Sequence, residues 1–132
     1  MEELIGELKA WGAAPKAGIR RMLGDEAFYL KLLKQFAEEK DWEELFLLVK
    51  QEAYGKAFVL AHRLKGSVVD LELHPIMEAL SVVVEDLRGS AQGPLKADSD
   101  PTVAETLSAD IERLQKKREE LLQILSGSDQ IF

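Results

Sequence analysis

The stretch AYGKAFVLAHRLKGSVVDL, residues 53–71, decides the fold, because its apolar residues recur at helical spacing. At about 100° per residue, one side of such a helix is wholly apolar. That side consists of Ala57, Leu60, Ala61, Leu64, Val68 and Leu71. The pattern predicts an amphipathic helix with this side in a core. His62 falls on the opposite side and is predicted to face solvent.

Glycine and proline divide the rest of the chain into further helical segments, and no segment alternates as a strand would. We expect helices over 2–11, from Pro15, over 26–39 with Asp25 as N-cap, over 41–50 with Asp41 as N-cap, over 75–88 after His74, and over 101–126 after Asp100. The sequence predicts an all-α fold, an antiparallel up-and-down four-helix bundle with short additional N-terminal helices. It is interpreted as a single domain over 1–132: N-terminal helices 1–24, bundle 25–126, loop 89–100 and polar tail 127–132.

Composition excludes several function classes. The 132 residues include no cysteine, so disulfides, thiol nucleophiles and cysteine-ligated metals are absent. A formal net charge of −7 disfavours general nucleic-acid binding. No apolar run reaches the roughly 18 residues of a membrane span, and the acidic N-terminus lacks the pattern of a signal peptide. We therefore expect a cytoplasmic protein that binds neither nucleic acid nor membrane and is a monomer.

The residues that share a helix face with His62 suggest chemistry at an open surface. Lys65 places a cation near anything negative on the ring. Gly66 costs about 1 kcal/mol in a helix interior and leaves space for a partner. Phe58 and Val69 are expected to form an exposed apolar border. The alternative is structural: a polar surface histidine, a glycine that allows helix packing, and a phenylalanine tucked under a neighbouring helix.

Two other features are interpreted structurally. His74 precedes Pro75 and is interpreted as a turn or cap residue. Two separate histidines without a Glu-x-x-His pair give little support to a di-metal bundle. Lys117 and Arg118 interrupt the apolar stripe of the last helix, and we expect their stems along the core edge with the charges in water.

The segment AHRLKGS at 61–67, followed by Leu71, Ile76 and Val84–Glu85, resembles the histidine-containing phosphotransfer (HPt) domain. The pattern of that family is His-x-Leu-Lys-Gly-Ser, then Leu-Gly, an aliphatic residue, and Leu-Glu about twenty residues on. Residues 22–30, MLGDEAFYL, are similar to stand-alone bacterial members. The resemblance covers roughly 15–125.

The resemblance implies a phosphocarrier that is not an enzyme, within a two-component phosphorelay. His62 would accept the phosphoryl group, Lys65 would stabilise its charge, and Gly66 would give a partner room. The implied partners are response-regulator receiver domains and a hybrid sensor histidine kinase. The implied docking residues are Phe58, Arg63 and Val69, and the surface is expected to extend to Ile19, Met22 and Leu23. No cofactor or metal is expected in the chain, because Mg²⁺ would come with the receiver.

The sequence departs from the family pattern at two places that bear on the site. Arg63 stands where Thr or Ser is common, and is expected to affect partner choice. Glu72 stands where Gly is common, and is expected to change how the helix ends. Two alternatives stay open: a degenerate HPt-like module that binds receivers without phosphotransfer, and the phosphotransfer domain of a larger kinase. A start at Met1 and a polar tail favour a stand-alone protein.

Overall fold

A computed structural model describes residues 2–91 and 101–129, with side chains within 2–89 and 105–127. Every regular element in these residues is a helix, so the all-α prediction is confirmed. The helices are α1 (Glu2–Trp11), α2 (Pro15–Arg21), α3 (Glu26–Glu38), α4 (Asp41–Lys50), α5 (Tyr54–Asp70), α6 (His74–Ala91) and α7 (Pro101–Asp129).

Helix α5 lies between two neighbours. It packs most extensively against α6 and also against α4, while α6 packs on its other side against α7. Helix α7 further contacts α3 and α1, and α2 touches both α1 and α3. The predicted core face of α5 is buried along its whole length, at Ala57, Leu60, Ala61, Leu64, Val68 and Leu71. The 3.6-residue apolar period is therefore what orients this helix.

The starts and ends of the N-terminal helices follow local rules. The Phe28 amide donates a 3.0 Å hydrogen bond to the carboxylate of Asp25, which confirms Asp25 as the N-cap of α3. Gly12 and Gly24 take φ values of +114° and +82° in the turns after α1 and α2. Only glycine adopts these backbone conformations without strain, so both turns depend on it.

The N-cap predicted at Asp41 is wrong. Helix α4 begins at Asp41, and the residue before it, Lys40, is already in the right-handed helical region with φ −65° and ψ −18°. The Asp41 carboxylate instead accepts a 2.9 Å hydrogen bond from Arg63 of α5. A tertiary ion pair has thus replaced the local cap.

Arg118 also departs from expectation. Its side chain is only 13% exposed, and its guanidinium bonds to α3 and to Glu43 of α4 rather than to water. Lys117 is closer to the expected behaviour, with a partly exposed side chain 3.3 Å from Glu120. The apolar stripe of α7 is interrupted at Arg118 because its charged group forms hydrogen bonds that link α7 to α3 and α4.

Two predicted boundaries move. Helix α6 continues through Ala91, so the loop expected at 89–100 starts later, and α7 continues through Asp129 into the tail expected at 127–132. Gly89 keeps a helical conformation at an exposed position, since glycine weakens a helix without forbidding it. Residues 92–100, which include the predicted N-cap Asp100, lie outside the described residues, as do 130–132.

Candidate functional site

His62 projects from the outer side of α5. Its neighbour Ala61 is fully buried and Leu64 is 2% exposed, which fixes the rotation of the helix about its axis. His62 itself is exposed, as the helical pattern predicts. An imidazole held in this way is accessible to a large partner without any change in the fold.

The surface beside His62 is open at Gly66. A Cβ atom built on Gly66 would meet nothing within 4 Å, so no helix packs closely against this position. Gly18 of α2 is the contrasting case, because a Cβ there would collide with the ring of Tyr29. Helix packing therefore explains Gly18 and does not explain Gly66. Gly66 leaves the surface beside His62 open, as Gly6, Gly55 and Gly89 leave the helix surface open elsewhere.

Phe58 and Val69 are partly buried, so the expectation of an exposed apolar border is wrong for both. The Phe58 ring packs against the core, and its centroid lies 6.0 Å from that of the His62 ring at an interplanar angle of 41°. Arg88 of the neighbouring helix α6 lies over the Phe58 ring and covers part of it. Phe58 forms a wall beside the imidazole rather than a free apolar edge.

Arg88 of α6 is a site residue that sequence reasoning missed. Its guanidinium carbon lies 5.6 Å from the centroid of the Phe58 ring, within the range of a cation–π contact. It also lies 3.5 Å from a carboxylate oxygen of Glu85, and both side chains are about half-exposed or more. No local sequence pattern predicts that Arg88 belongs to the site. The antiparallel packing of α6 on α5 is what brings Arg88 near His62.

The two sides of His62 differ in charge. Lys65 lies on the same side of α5 as Phe58 by helical geometry, and together with Arg88 these residues form what we call the α6 flank. Arg63 lies on the other side and is paired with Asp41 of α4 at 2.9 Å. The α6 flank thus carries the cations Lys65 and Arg88 beside the carboxylate of Glu85, while on the α4 side Arg63 is paired with Asp41.

Glu39 adds a further acid on the α4 side. Desolvation and a side-chain hydrogen bond with Asp41 raise the pKa of Glu39 above its ordinary value. Arg63, Asp41 and Glu39 form what we call the α4 flank.

A cleft of about 410 Å³ opens next to the α4 flank, between α3 and α5. Its lining residues include Met22, Leu32, Gln35, Glu39, Ser67 and Asp70. Leu23, in the turn between α2 and α3, is 98% exposed, whereas Ile19 and Met22 are both partly buried and packed against the core. Of the three residues expected to extend the docking surface, Leu23 is the exposed one and Met22 lines the cleft.

Polar contacts stabilise the turn after α5. Glu72 has φ +57°, a left-handed conformation, and its carboxylate accepts hydrogen bonds from Arg21 at 2.9 Å and from the His74 ring at 2.8 Å. The bond from His74, reinforced by Arg21, lowers the pKa of Glu72. The Tyr29 hydroxyl donates to the carbonyl oxygen of Leu71 at 2.9 Å. His74 is the first residue of α6, in keeping with its predicted place at a helix start.

Comparisons with family profiles, with curated proteins and with solved structures return no match. The site is therefore interpreted from its own chemistry. Within residues 2–89 and 105–127, no three Asp, Glu, His or Cys side chains come together as metal ligands. None of the described helices combines the length and apolarity that crossing a membrane requires.

The arrangement offers one nucleophile and two nearby cations. A neutral imidazole has a ring nitrogen with a free electron pair, and it can attack phosphorus without a separate base. Lys65 lies one helical turn from His62, and the Arg88 guanidinium lies over the Phe58 ring that neighbours His62. This combination suits the transfer of a small, strongly negative group at an open surface.

Proposed function

We propose that the protein is a histidine phosphocarrier of a two-component phosphorelay, in which His62 carries a phosphoryl group between receiver-domain aspartates. The observation that carries the proposal is the exposed His62 beside Gly66, where a Cβ would meet no atom within 4 Å. An approaching receiver needs such space to bring its aspartyl phosphate to the ring. The resemblance of residues 61–67 to the HPt motif agrees with this interpretation.

In the proposed reaction the ring nitrogen that carries no proton attacks the phosphorus. A nitrogen–phosphorus bond forms as the phosphorus–oxygen bond to the receiver aspartate breaks, and the aspartate carboxylate leaves with the bonding electrons. The ring keeps its proton on the other nitrogen and becomes a phosphoimidazolium. Lys65 and the partner's Mg²⁺ stabilise the charge that spreads over the phosphoryl oxygens. Transfer to the next receiver is the reverse of these steps.

The proposed architecture is an antiparallel four-helix bundle of α3 with α4, α5, α6 and α7. Its support is the ring of contacts α4–α5, α5–α6, α6–α7 and α7–α3. In this arrangement α1 and α2 are N-terminal additions. We propose further that the protein acts as a monomer in the cytoplasm, with receiver domains and a hybrid sensor kinase as partners, and that it has no kinase activity of its own.

The test is phosphotransfer from acetyl-phosphate-charged receiver domains of the same organism. Wild type is compared with His62→Gln and with His74→Gln, which removes the other of the two histidines. We expect an acid-labile, base-stable label on wild type and on His74→Gln, and none on His62→Gln. Circular dichroism should show equal helicity and melting for wild type and His62→Gln, because the site is exposed.

The other outcomes have distinct meanings. Binding of receivers without any label would favour the HPt-like interaction module that does not transfer phosphate. Label that persists in His62→Gln would contradict the assignment of the acceptor. A large loss of stability in that variant would mean that His62 has a structural role.

A further inference from the structure

The guanidinium of Arg88 is placed at the candidate site by the ring of Phe58. The centroid of that ring lies 5.6 Å from the guanidinium carbon and 6.0 Å from the centroid of the His62 ring. Phe58 is partly buried and packs against the core, so its position is fixed by the fold. The cation is therefore held at the edge of the site from a second helix.

The competing partner of Arg88 is weak. Glu85 lies 3.5 Å away, one turn back on α6, and the two side chains are 66% and 48% exposed. Exposed pairs of this kind contribute little to stability and exchange readily with solvent. Arg63, by contrast, has its guanidinium 2.9 Å from an Asp41 carboxylate that is only 27% exposed. Of these two arginines, Arg88 is the one that can turn to a new anion at small cost.

We propose that Arg88 is a second catalytic cation, which acts with Lys65 and binds the phosphoryl oxygens during transfer to and from His62. This inference rests on the proposed function and adds a residue from outside the helix that carries the histidine. The planar guanidinium can donate two parallel hydrogen bonds to phosphoryl oxygens, a geometry that the ammonium of Lys65 cannot offer. The two cations thus have different roles, because Lys65 supplies a point charge and Arg88 orients the group.

The bond changes are those of the phosphoryl transfer itself. The nitrogen–phosphorus bond forms, the bond from phosphorus to the leaving group breaks, and the leaving group takes the electron pair. Arg88 donates hydrogen bonds throughout and neither gains nor loses a proton, because guanidinium stays charged in proteins. Its contribution is greatest where negative charge on the equatorial oxygens is greatest.

The experiment uses phosphoramidate as the phosphoryl donor, so that no receiver is needed. The rate of His62 phosphorylation is measured for wild type, Arg88→Gln, Arg88→Lys and Arg113→Gln. Arg113 of α7 is a matched control, since its side chain is also 48% exposed and its carboxylate partner lies 4.0 Å away. We expect Arg88→Gln to slow phosphorylation about fivefold or more, since one charge interaction at about 4 Å in bulk water changes a rate by about that factor. Arg88→Lys should recover part of the rate, and Arg113→Gln should match wild type.

Salt and a second variant separate chemistry from structure. The deficit of Arg88→Gln should shrink at about 1 M salt, where exposed charges are screened within about 3 Å. Phe58→Leu, which keeps the guanidinium but removes its support, should give a smaller deficit than Arg88→Gln. A deficit of Arg88→Gln that salt leaves unchanged would assign Arg88 a packing role and overturn the proposal.

The failure of this inference can be told apart from failure of the proposed function. If wild type takes no phosphate from phosphoramidate or from any receiver, the proposed function fails. If wild type is phosphorylated on His62 and Arg88→Gln reacts at the same rate, the phosphocarrier assignment stands and the role of Arg88 is refuted. Melting curves for each variant establish that it is folded before its rate is compared.

Discussion

Arg118 of α7 donates a hydrogen bond from Nε to the carbonyl oxygen of Ala37 at 2.9 Å, near the end of α3. The same guanidinium donates from a terminal nitrogen to the Glu43 carboxylate on α4 at 2.7 Å. One side chain therefore joins three helices at the break between α3 and α4. It satisfies a carbonyl of a fully buried residue in the last turn of α3, where backbone acceptors lack intrahelical partners.

Arg118→Met should lower the free energy of unfolding by about 2–3 kcal/mol, because the variant leaves a buried carbonyl and a carboxylate without their charged donor. Arg118→Lys should lose less, since an ammonium can reach one acceptor. Arg113→Met is the control: its partner lies 4.0 Å away across exposed side chains, and the change should stay within about 0.5 kcal/mol. Urea denaturation measures all three. Equal losses at positions 113 and 118 would contradict the bridging role of Arg118.

Gly66→Gln should keep or raise stability and yet slow transfer from a receiver. The new side chain meets open space and replaces a poor helix former, which favours the helix by about 0.5–1 kcal/mol. It also occupies the surface that a receiver would approach under the proposed function. Phosphorylation by phosphoramidate, a small donor, should be nearly unaffected. Rates with the two donors, measured side by side, check this expectation.

Gly18→Ala is the control for that prediction, and its stability change should have the opposite sign. Here the added methyl would collide with Tyr29, which is fully buried and bonded to the Leu71 carbonyl. Thermal melting should show Gly18→Ala below wild type and Gly66→Gln at or above it. A destabilised Gly66→Gln would mean that the surface at Gly66 is not open.

Glu72→Gly should be more stable than Glu72→Ala by about 1 kcal/mol. Both variants lose the hydrogen bonds from Arg21 and His74. The difference between their free energies of unfolding therefore measures the backbone strain at position 72. Glycine adopts φ +57° without strain and alanine does not. At Glu105, an exposed interior position of α7, the order should reverse, with Ala more stable than Gly by about 1 kcal/mol. Chemical denaturation of the four variants measures both differences, and the same order at both positions would contradict a left-handed turn at Glu72.

Asp86→Asn should change how stability depends on pH. Desolvation and a hydrogen bond with Asp110 of α7 raise the pKa of Asp86 from 3.8 to about 7. The folded protein then keeps a proton between about pH 4 and pH 7 that the unfolded chain has released. The free energy of unfolding of wild type therefore falls as pH rises through this range.

The asparagine variant cannot titrate at that position, so its advantage over wild type should be small at pH 5 and largest near pH 8. Asp110→Asn should weaken the pH dependence only in part, because burial is the larger cause and still raises the pKa of Asp86 in that variant. Denaturant titrations at several pH values provide the measurement. Parallel pH profiles for wild type and both variants would show that the pair does not titrate as described.

The parts of the fold that depend on short-range order could be predicted from the sequence. The helical period of 53–71 predicts both the buried face and the exposure of His62, since rotation about a helix axis follows from where the apolar residues fall. The N-cap at Asp25 follows in the same way, because its bond to Phe28 spans a single turn. These are properties of one helix at a time.

The remaining errors arise from contacts between helices. Asp41 fits an N-cap by local rules, but its carboxylate accepts a hydrogen bond from Arg63 of α5 instead. The sequence places Phe58 on an open face, and Arg88 of α6 covers part of it. Arg88 reaches the site only because α6 runs antiparallel to α5, which no residue near His62 encodes. One-dimensional periodicity cannot specify which side chain arrives from a neighbouring helix.

The single open face at His62 has a consequence for the order of events. The α6 flank, the α4 flank and the gap at Gly66 surround one imidazole, so donor and acceptor would compete for the same footprint. A ternary complex would be sterically forbidden, and the phosphorylated protein would have to leave one partner before it meets the next. The phosphohistidine would then have to outlive that diffusive interval, which makes its intrinsic lifetime, rather than affinity for either partner, the quantity that limits how far the signal travels.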